Sequence, residues 1–287
     1  AGHYVKMVHN GIEYAILQQI ADICHIMKEG LGLSFDKMAE TFEGWKNSQL
    51  ESYLIDITVD VLRKKDDDGK ALVEKILDSA KMKGTGTWTV KEGLERGVYI
   101  PCISEAVGSR ILSQNKSLRT KGAQKLSFSS IKMNMPNFDE ILKNTLFGAI
   151  ICSYAQGLEL ISKASEEFGW NIDIAKVSRL WRDGCIIRSS LLEDIACAYT
   201  NEPYAQNLIL TEDFSFMEDI EPYLRHTAVS AVAAGVFVPG ILSAVSYYDG
   251  CRCENMPVNI IQGLRDCFGA HTYQRIDREG IFHSKWN

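Results

Sequence analysis

Two segments of this chain are near copies of one another, and their spacing constrains the fold more than any other feature. GVYIPCISEAV (97–107) and GVFVPGILSAV (235–245) share Gly, Val, Pro, Ile, Ala and Val at an offset of 138 residues. The same offset places LIDI (54–57) on LEDI (192–195). A fixed offset that recurs along a chain is typical of a duplicated structural unit. The alternative is that GV-x-x-P is only a common connector between helices that occurs twice by chance.

The repeated units are predicted to be helical. Apolar residues recur at helical spacing through most of the chain, and alternation with a period of two is scarce. We therefore predict an all-α fold in which two similar helical units, residues 4–115 and 144–250, form one domain (1–250). Residues 251–287 would then be a C-terminal tail.

Local signals predict several individual elements. A long helix is expected over 4–29, ending before Gly30, and further helices over 50–62 and 72–82. Thr89 followed by Glu92 matches the capping box that begins a helix. The polar segment 113–130 lacks apolar periodicity and is expected to be a surface loop.

Composition and charge exclude some classes of function. The chain has 287 residues, 46% hydrophobic and 24% charged, with a net charge of −6, so nothing in its total charge favours nucleic acid or an anionic membrane. No apolar run approaches the roughly 18–20 residues of a membrane span. The cysteines are scattered, which favours reduced thiols and a cytoplasmic protein. Cys251-x-Cys253 has no second pair, so no metal site is predicted.

The first candidate site is a polar stripe on the predicted N-terminal helix. Lys6, His9, Asn10 and Glu13 stand at relative positions 0, 3, 4 and 7, which is one helix face. Lys6 and Glu13 would lie roughly 10–11 Å apart along the axis, with room for a short substrate between a base and an acid. The alternative is a solvated helix face. Against it stands Gly11, a costly residue inside a helix unless something approaches the backbone closely.

Three further places carry basic residues. Lys83 precedes a Gly-rich turn whose backbone amides could hold an anion, although a plain turn between helices fits equally well. Arg265 and His271 form a possible phosphate-binding pair in the tail. Arg110 lies in a mostly apolar helix and needs a partner, either a structural carboxylate or a ligand. The chain contains neither a dinucleotide-binding fingerprint nor a GxSxG elbow.

Four motifs, GHYVKMVHNGIEY, KGTGTWT, WRDGCIIRS and RDCFGAHTY, occur in this order. Together they resemble the 6-phosphogluconate dehydrogenase family, decarboxylating and NADP-dependent enzymes of the pentose phosphate pathway. The resemblance covers essentially the entire chain. It implies that this chain is the all-α part made of duplicated helical units, and that it lacks the Rossmann domain that binds NADP. It also implies a cytoplasmic homodimer whose tails reach the partner subunit.

The resemblance also implies roles for individual residues. Lys6 would be the general base at C3 of 6-phosphogluconate, and Glu13 the acid that protonates C1 of the product. Asn10 would bind substrate and lie close to the nicotinamide. The remaining substrate ligands would be His9, Tyr14, Lys83 and Arg110, with Arg265 and His271 supplied by the second subunit.

Two other functions remain open at this stage. One is a different β-hydroxyacid dehydrogenase with a smaller acid as substrate, which the basic set Lys83, Arg265 and His271 disfavours. The other is a substrate-binding and dimerisation fragment without activity, because the chain lacks a site for the hydride acceptor.

Overall fold

The computed structural model of the chain describes residues 1–128 and 131–286. These residues form helices joined by turns and irregular segments, with no strand beyond isolated residue pairs, so the all-α prediction is confirmed. They divide into two units, Ala1–Tyr247 and Tyr248–Asn287. The α-helices are α1 (Gly2–His25), α2 (Phe35–Trp45), α3 (Tyr53–Arg63), α4 (Thr85–Glu95), α5 (Pro101–Gln114), α6 (Lys116–Lys125), α7 (Phe138–Phe168), α8 (Ile174–Leu180), α9 (Leu191–Asn201), α10 (Met217–Ala234), α11 (Pro239–Cys251) and α12 (Val258–Gly269).

Helices α1 and α7 form the centre of the first unit. Val8 and Ile12 of α1 are fully buried, and a Cβ at Gly157 of α7 would overlap the side chain of Ile12. The absence of a side chain at Gly157 therefore lets the two helices approach closely. By length and composition α7 could cross a membrane, but 89% of its most apolar window is buried inside the protein. It is the core helix of this unit.

The offset of 138 residues recurs in the helix bounds. Adding it to Tyr53–Arg63 gives Leu191–Asn201, so α3 and α9 correspond residue for residue. Gly97 and Gly235, which share the offset, follow α4 and α10 with φ angles of 63° and 69°. Left-handed glycines of this kind commonly end helices. These matched ends support an internal duplication, which remains a prediction.

The two predicted repeats exchange the groups that cap their helices. Asp22 of α1 accepts the backbone N–H of Ile241 in α11 at 3.0 Å. Conversely, Gln156 of α7 accepts the N–H of Cys102 in α5 at 2.9 Å. The first N–H groups of a helix have no partner within it, so a side chain from elsewhere satisfies them. Each central helix thus caps a helix of the other repeat.

Three local predictions were wrong. Residues 72–82 form only a 3₁₀ turn at Leu72–Lys75, and the expected loop 113–130 contains α6. Helix α6 is polar and buries no residue, so apolar spacing could not predict it. Residues 72–82 have apolar residues at helical spacing but remain mostly irregular. The two segments are linked by ion pairs from Lys116 and Arg119 to Asp78, at 2.8 and 2.7 Å.

The third error concerns the start of α4. Helix α4 begins at Thr85, directly after Gly84, which adopts a φ of 96°. Thr89 therefore lies inside the helix rather than at its cap. Its hydroxyl donates to the carbonyl of Thr85 at 3.0 Å and to that of Met7 at 2.9 Å. Thr89 matches the capping pattern in sequence, but in the structure its side chain links α4 to α1.

Candidate active site

Three side chains of the polar stripe of α1, those of Lys6, His9 and Asn10, contact one another. Lys6 Nζ lies 3.4 Å from His9 Nδ1, and the same ring nitrogen lies 3.2 Å from Asn10 Oδ1. Lys6 is exposed, Asn10 and Glu13 are half-buried, and His9 is only 1% exposed. The face therefore runs from a solvated amine past a buried imidazole to a partly enclosed carboxyl.

His9 is held as a neutral imidazole. Burial, and secondarily the charge of Lys6, lower the pKa of His9 to about 4. Its ring packs edge-on against that of Trp181, with centroids 5.4 Å apart. Its Nε2 atom is buried and has no hydrogen-bond partner among the described residues. A neutral imidazole with an unpaired nitrogen can donate to or accept from a substrate hydroxyl.

The pKa of Glu13 is shifted in the opposite direction to that of His9. Burial raises the pKa of Glu13 above its ordinary value, although the charges of Lys6 and Arg110 act against this shift. A carboxyl group in such a place keeps its proton to a higher pH than an exposed one. The same helix face therefore carries an amine and a carboxyl suited to donate a proton.

Glycines let α4 approach α1 next to this face. A Cβ at Gly11 would lie 2.6 Å from the side chain of Thr89, and a Cβ at Gly86 would lie 2.7 Å from the ring of Tyr14. The close approach predicted at Gly11 is therefore made by α4. Lys83 precedes α4 and is exposed, one residue before the left-handed Gly84.

The partner that Arg110 requires is an aromatic ring. Its guanidinium carbon lies 3.5 Å from the centroid of the Tyr14 ring, which is the geometry of a cation–π contact. Its charge also acts on Glu13. The structure thus brings Arg110, Tyr14 and Glu13 together, although α5 and α1 are far apart in sequence.

Two residues near the site were given no role from the sequence. Besides Trp181, Cys185 is half-buried and close enough to Lys6 for the charge of the lysine to act on its thiol. Burial nevertheless raises the pKa of Cys185, and its thiol donates to the carbonyl of Trp181 at 2.9 Å. Both residues lie in the WRDGCIIRS motif, whose conspicuous composition was the only available signal.

The remaining predicted residues lie in the second unit. Arg265 is on α12 and His271 follows it, and both are exposed. Arg265 donates to Gln262 at 3.1 Å. The structure therefore collects seven of the predicted site residues in Ala1–Tyr247 and two in Tyr248–Asn287. Within residues 1–128 and 131–286, no three His, Cys, Asp or Glu side chains form a group that could hold a metal ion.

Fold and site together define an all-helical domain whose first helix carries an amine, an imidazole, an amide and a carboxyl on one face. The family model of the 6-phosphogluconate dehydrogenase C-terminal domain matches residues 2–286, and the chain belongs to that family.

Similar proteins carry the same family name. The decarboxylating 6-phosphogluconate dehydrogenases of Staphylococcus aureus (strain N315) and Staphylococcus epidermidis are 45% and 46% identical over 289 residues. These alignments cover 100% of this chain and 62% of each relative, so the chain spans less than two thirds of their length.

A solved structure has the same fold. Plasmodium falciparum 6-phosphogluconate dehydrogenase superposes with a TM-score of 0.94 at 40% identity, covering 99% of this chain and 62% of that protein. That enzyme was determined in its apo form, with its cofactor NADP+ and with its substrate 6-phosphogluconate.

Proposed function

We propose that this chain is the catalytic and substrate-binding part of an enzyme that oxidatively decarboxylates 6-phospho-D-gluconate. The products are D-ribulose 5-phosphate, carbon dioxide and NADPH. The observation that carries this proposal is the face of α1, where the exposed amine of Lys6 shares one stripe with the carboxyl of Glu13, whose pKa is raised by burial. Family membership supplies the substrate class.

Lys6 is the proposed general base. In its neutral form it takes the proton of the C3 hydroxyl as C3 is oxidised to a ketone. The resulting β-keto acid loses its carboxylate as carbon dioxide. The protonated lysine then donates a hydrogen bond to the C3 carbonyl and stabilises the enediol, while the neutral imidazole of His9 binds a hydroxyl beside it.

Glu13 is the proposed acid. After decarboxylation it protonates the carbon that becomes C1 of ribulose 5-phosphate. A raised pKa supports this role because the carboxyl must still carry a proton near neutral pH. Tyr14, Lys83 and Arg110 are proposed to bind the substrate, with Tyr14 and Lys83 at its phosphate end.

The cofactor is proposed to be NADP, which when bound accepts the hydride from C3. The residues of this chain are proposed to contact only the nicotinamide end of NADP. Asn10 is half-buried beside His9 and can present its amide to the nicotinamide carboxamide. We place the rest of the NADP site in a Rossmann domain outside this chain.

The assembly is proposed to be a cytoplasmic homodimer. Arg265 and His271 would then reach the substrate from the tail of a second copy, which explains a basic pair far from α1 in sequence. Free thiols at Cys24, Cys102 and Cys185 support a reducing compartment.

Lys6→Met in the full-length protein tests the assignment. Turnover of 6-phosphogluconate, followed as NADPH absorbance, should fall about 10²- to 10⁴-fold, the usual contribution of a general acid–base group. Substrate binding measured by calorimetry should persist. Lys37→Met is the matched control, since Lys37 is an exposed lysine of α2 paired with Glu40 at 3.0 Å. Normal turnover by Lys6→Met would remove the proposed base.

A further inference from the structure

A buried carboxylate organises the second unit. Asp266, on α12, is fully inaccessible to solvent and accepts four hydrogen bonds. Its Oδ1 atom accepts the N–H of Thr272 and His283 Nδ1, both at 2.9 Å. Its Oδ2 atom accepts the N–H of Ser284 at 3.0 Å and Trp286 Nε1 at 2.8 Å. Because each carboxylate oxygen accepts two hydrogen bonds, Asp266 is held in one position and connects the segments that donate to it.

These bonds also keep the carboxyl ionised. Burial alone would raise the pKa of Asp266, but the bonds from Ser284, His283 and Trp286 together hold it well below its ordinary value. A charged acceptor forms stronger hydrogen bonds than a neutral amide would.

The turn after α12 is backbone-strained, and Asp266 holds it. Ala270 and Thr272 have φ angles of 50° and 60°, in the left-handed region that non-glycine residues rarely adopt. His271 lies between them. Gln262 donates to the carbonyl of Thr272 and accepts from Arg265 at 3.1 Å. Thr272 is thus held at its N–H by Asp266 and at its carbonyl by Gln262.

The chain then folds back onto the same point. Tyr273 and Phe282 exchange backbone hydrogen bonds of 2.9 and 2.8 Å. The hydroxyl of Tyr273 lies 2.6 Å from that of Ser284. This pairing brings residues 283–286 to Asp266, so one carboxylate joins α12, the strained turn and the C-terminal segment.

We propose that Asp266 is a positioning residue for substrate binding, one that fixes the direction in which Arg265 and His271 project. Both side chains adjoin this network: Arg265 precedes Asp266 and bonds Gln262, and His271 lies within the held turn. Without the carboxylate the left-handed conformation is no longer enforced, and the side chains of Arg265 and His271 lose their fixed spacing. This inference rests on the proposed function, in which the pair binds 6-phosphogluconate.

Asp266→Asn in the full-length protein is the first test. Asn keeps the volume but has one acceptor oxygen, so it cannot receive all four donors. We expect KM for 6-phosphogluconate to rise about tenfold or more, because a displaced Arg265 makes weaker charge-assisted bonds and a displaced His271 weaker hydrogen bonds. We expect kcat to change less than about threefold and KM for NADP to stay unchanged, since the groups on α1 are untouched. Asp277→Asn, in the exposed pair with Arg275, is the matched control.

Gln262→Leu is the second variant, for the case in which Asp266→Asn does not fold. It leaves the bonds of Asp266 in place and removes those to Thr272 and Arg265, so KM should rise with kcat preserved. Hydrogen exchange at the amides of 270–273 should accelerate in both variants. Gln274→Leu, an exposed change on the neighbouring loop, is its control.

The outcomes separate the two proposals. If the unmodified protein does not turn over 6-phosphogluconate, the proposed function fails before Asp266 is tested. If it does, and a folded Asp266→Asn variant keeps its KM, the positioning role is overturned. If the Asp266→Asn variant is unfolded, an unchanged KM in Gln262→Leu overturns the positioning role. In either folded variant, a fall of kcat as large as the rise of KM also overturns it.

Discussion

At the scale of single residues, α1 shifts the pKa values of two neighbouring side chains in opposite directions: that of His9 is lowered and that of Glu13 is raised. His9 is kept neutral because burial and the nearby charge of Lys6 disfavour its cation. Burial raises the pKa of Glu13 and outweighs the opposing effect of the charges of Lys6 and Arg110. The same physical cause, loss of solvent, therefore favours the neutral form of a base and of an acid on one helix face. Only Lys6 remains on the solvated side of this face.

Gly11 permits the contact that supports this face, and a substitution there is a sharp test. In Gly11→Ala the new Cβ would lie 2.6 Å from the side chain of Thr89, so either α4 or α1 must shift. We expect a loss of about 1–3 kcal/mol in the free energy of unfolding, the usual cost of overpacking, measured by urea titration.

The control for that experiment is Gly44→Ala. Gly44 lies within α2, and a Cβ added there would have no neighbouring atom within 4 Å, so alanine should be neutral or stabilising by up to about 1 kcal/mol. Equal effects of the two substitutions would mean that α4 does not pack tightly on Gly11.

At the scale of elements, the exchanged caps couple helices of the two predicted repeats. Asp22 is 1% exposed and receives the N–H of Ile241 at the start of α11, and the side-chain amide of Gln18 at 2.8 Å. Burial raises the pKa of Asp22 to about 7, against the opposing effect of these donors. Part of the stability of this junction is therefore linked to pH.

Asp22→Asn tests this link. The pKa of Asp22 rises from 3.8 in the unfolded chain to about 7 in the fold, so the folded state binds the proton more strongly. Its contribution to stability is fully present below pH 3.8 and is lost as the pH rises through about 7. From about pH 4.5 to about pH 7.5 the unmodified protein should therefore lose roughly 3 kcal/mol relative to Asp22→Asn.

Denaturant titrations at the two pH values measure this difference. Asp60→Asn, at an exposed carboxyl of α3, supplies the control and should leave the pH dependence unaltered. A pH profile of Asp22→Asn that parallels the unmodified protein would show that the buried cap does not titrate in this range.

Sequence patterns predicted the all-α class and the helix that carries the α1 stripe, because both follow from the spacing of apolar residues. Apolar spacing was not sufficient at residues 72–82, where only Leu72–Lys75 form a 3₁₀ turn. Helix α6 was not predicted, because it buries no residue and therefore has no apolar face to recognise; its Lys116 and Arg119 pair with Asp78 across the chain. Trp181 and Cys185 were missed as neighbours of α1 for a similar reason: periodicity describes one element and is silent about which elements meet.

At the scale of the whole molecule, this chain spans 62% of the length of its relatives. If the NADP site lies mostly outside it, the chain alone should yield no NADPH from 6-phosphogluconate and NADP. It should still bind 6-phosphogluconate, seen as a rise in its melting temperature. The full-length protein, assayed in parallel, is the positive control. NADPH production by this chain alone would contradict the proposal that most of the NADP site lies outside it.

The central helices α1 and α7 each cap a helix of the other predicted repeat, and this arrangement has an evolutionary consequence. If the two repeats descend from one ancestral unit, that unit had to complete its own helix ends or pair with a twin. In the present chain Asp22 caps α11 and Gln156 caps α5, so each predicted repeat depends on the other for one helix end. A substitution at either residue would therefore act on a helix of the other predicted repeat.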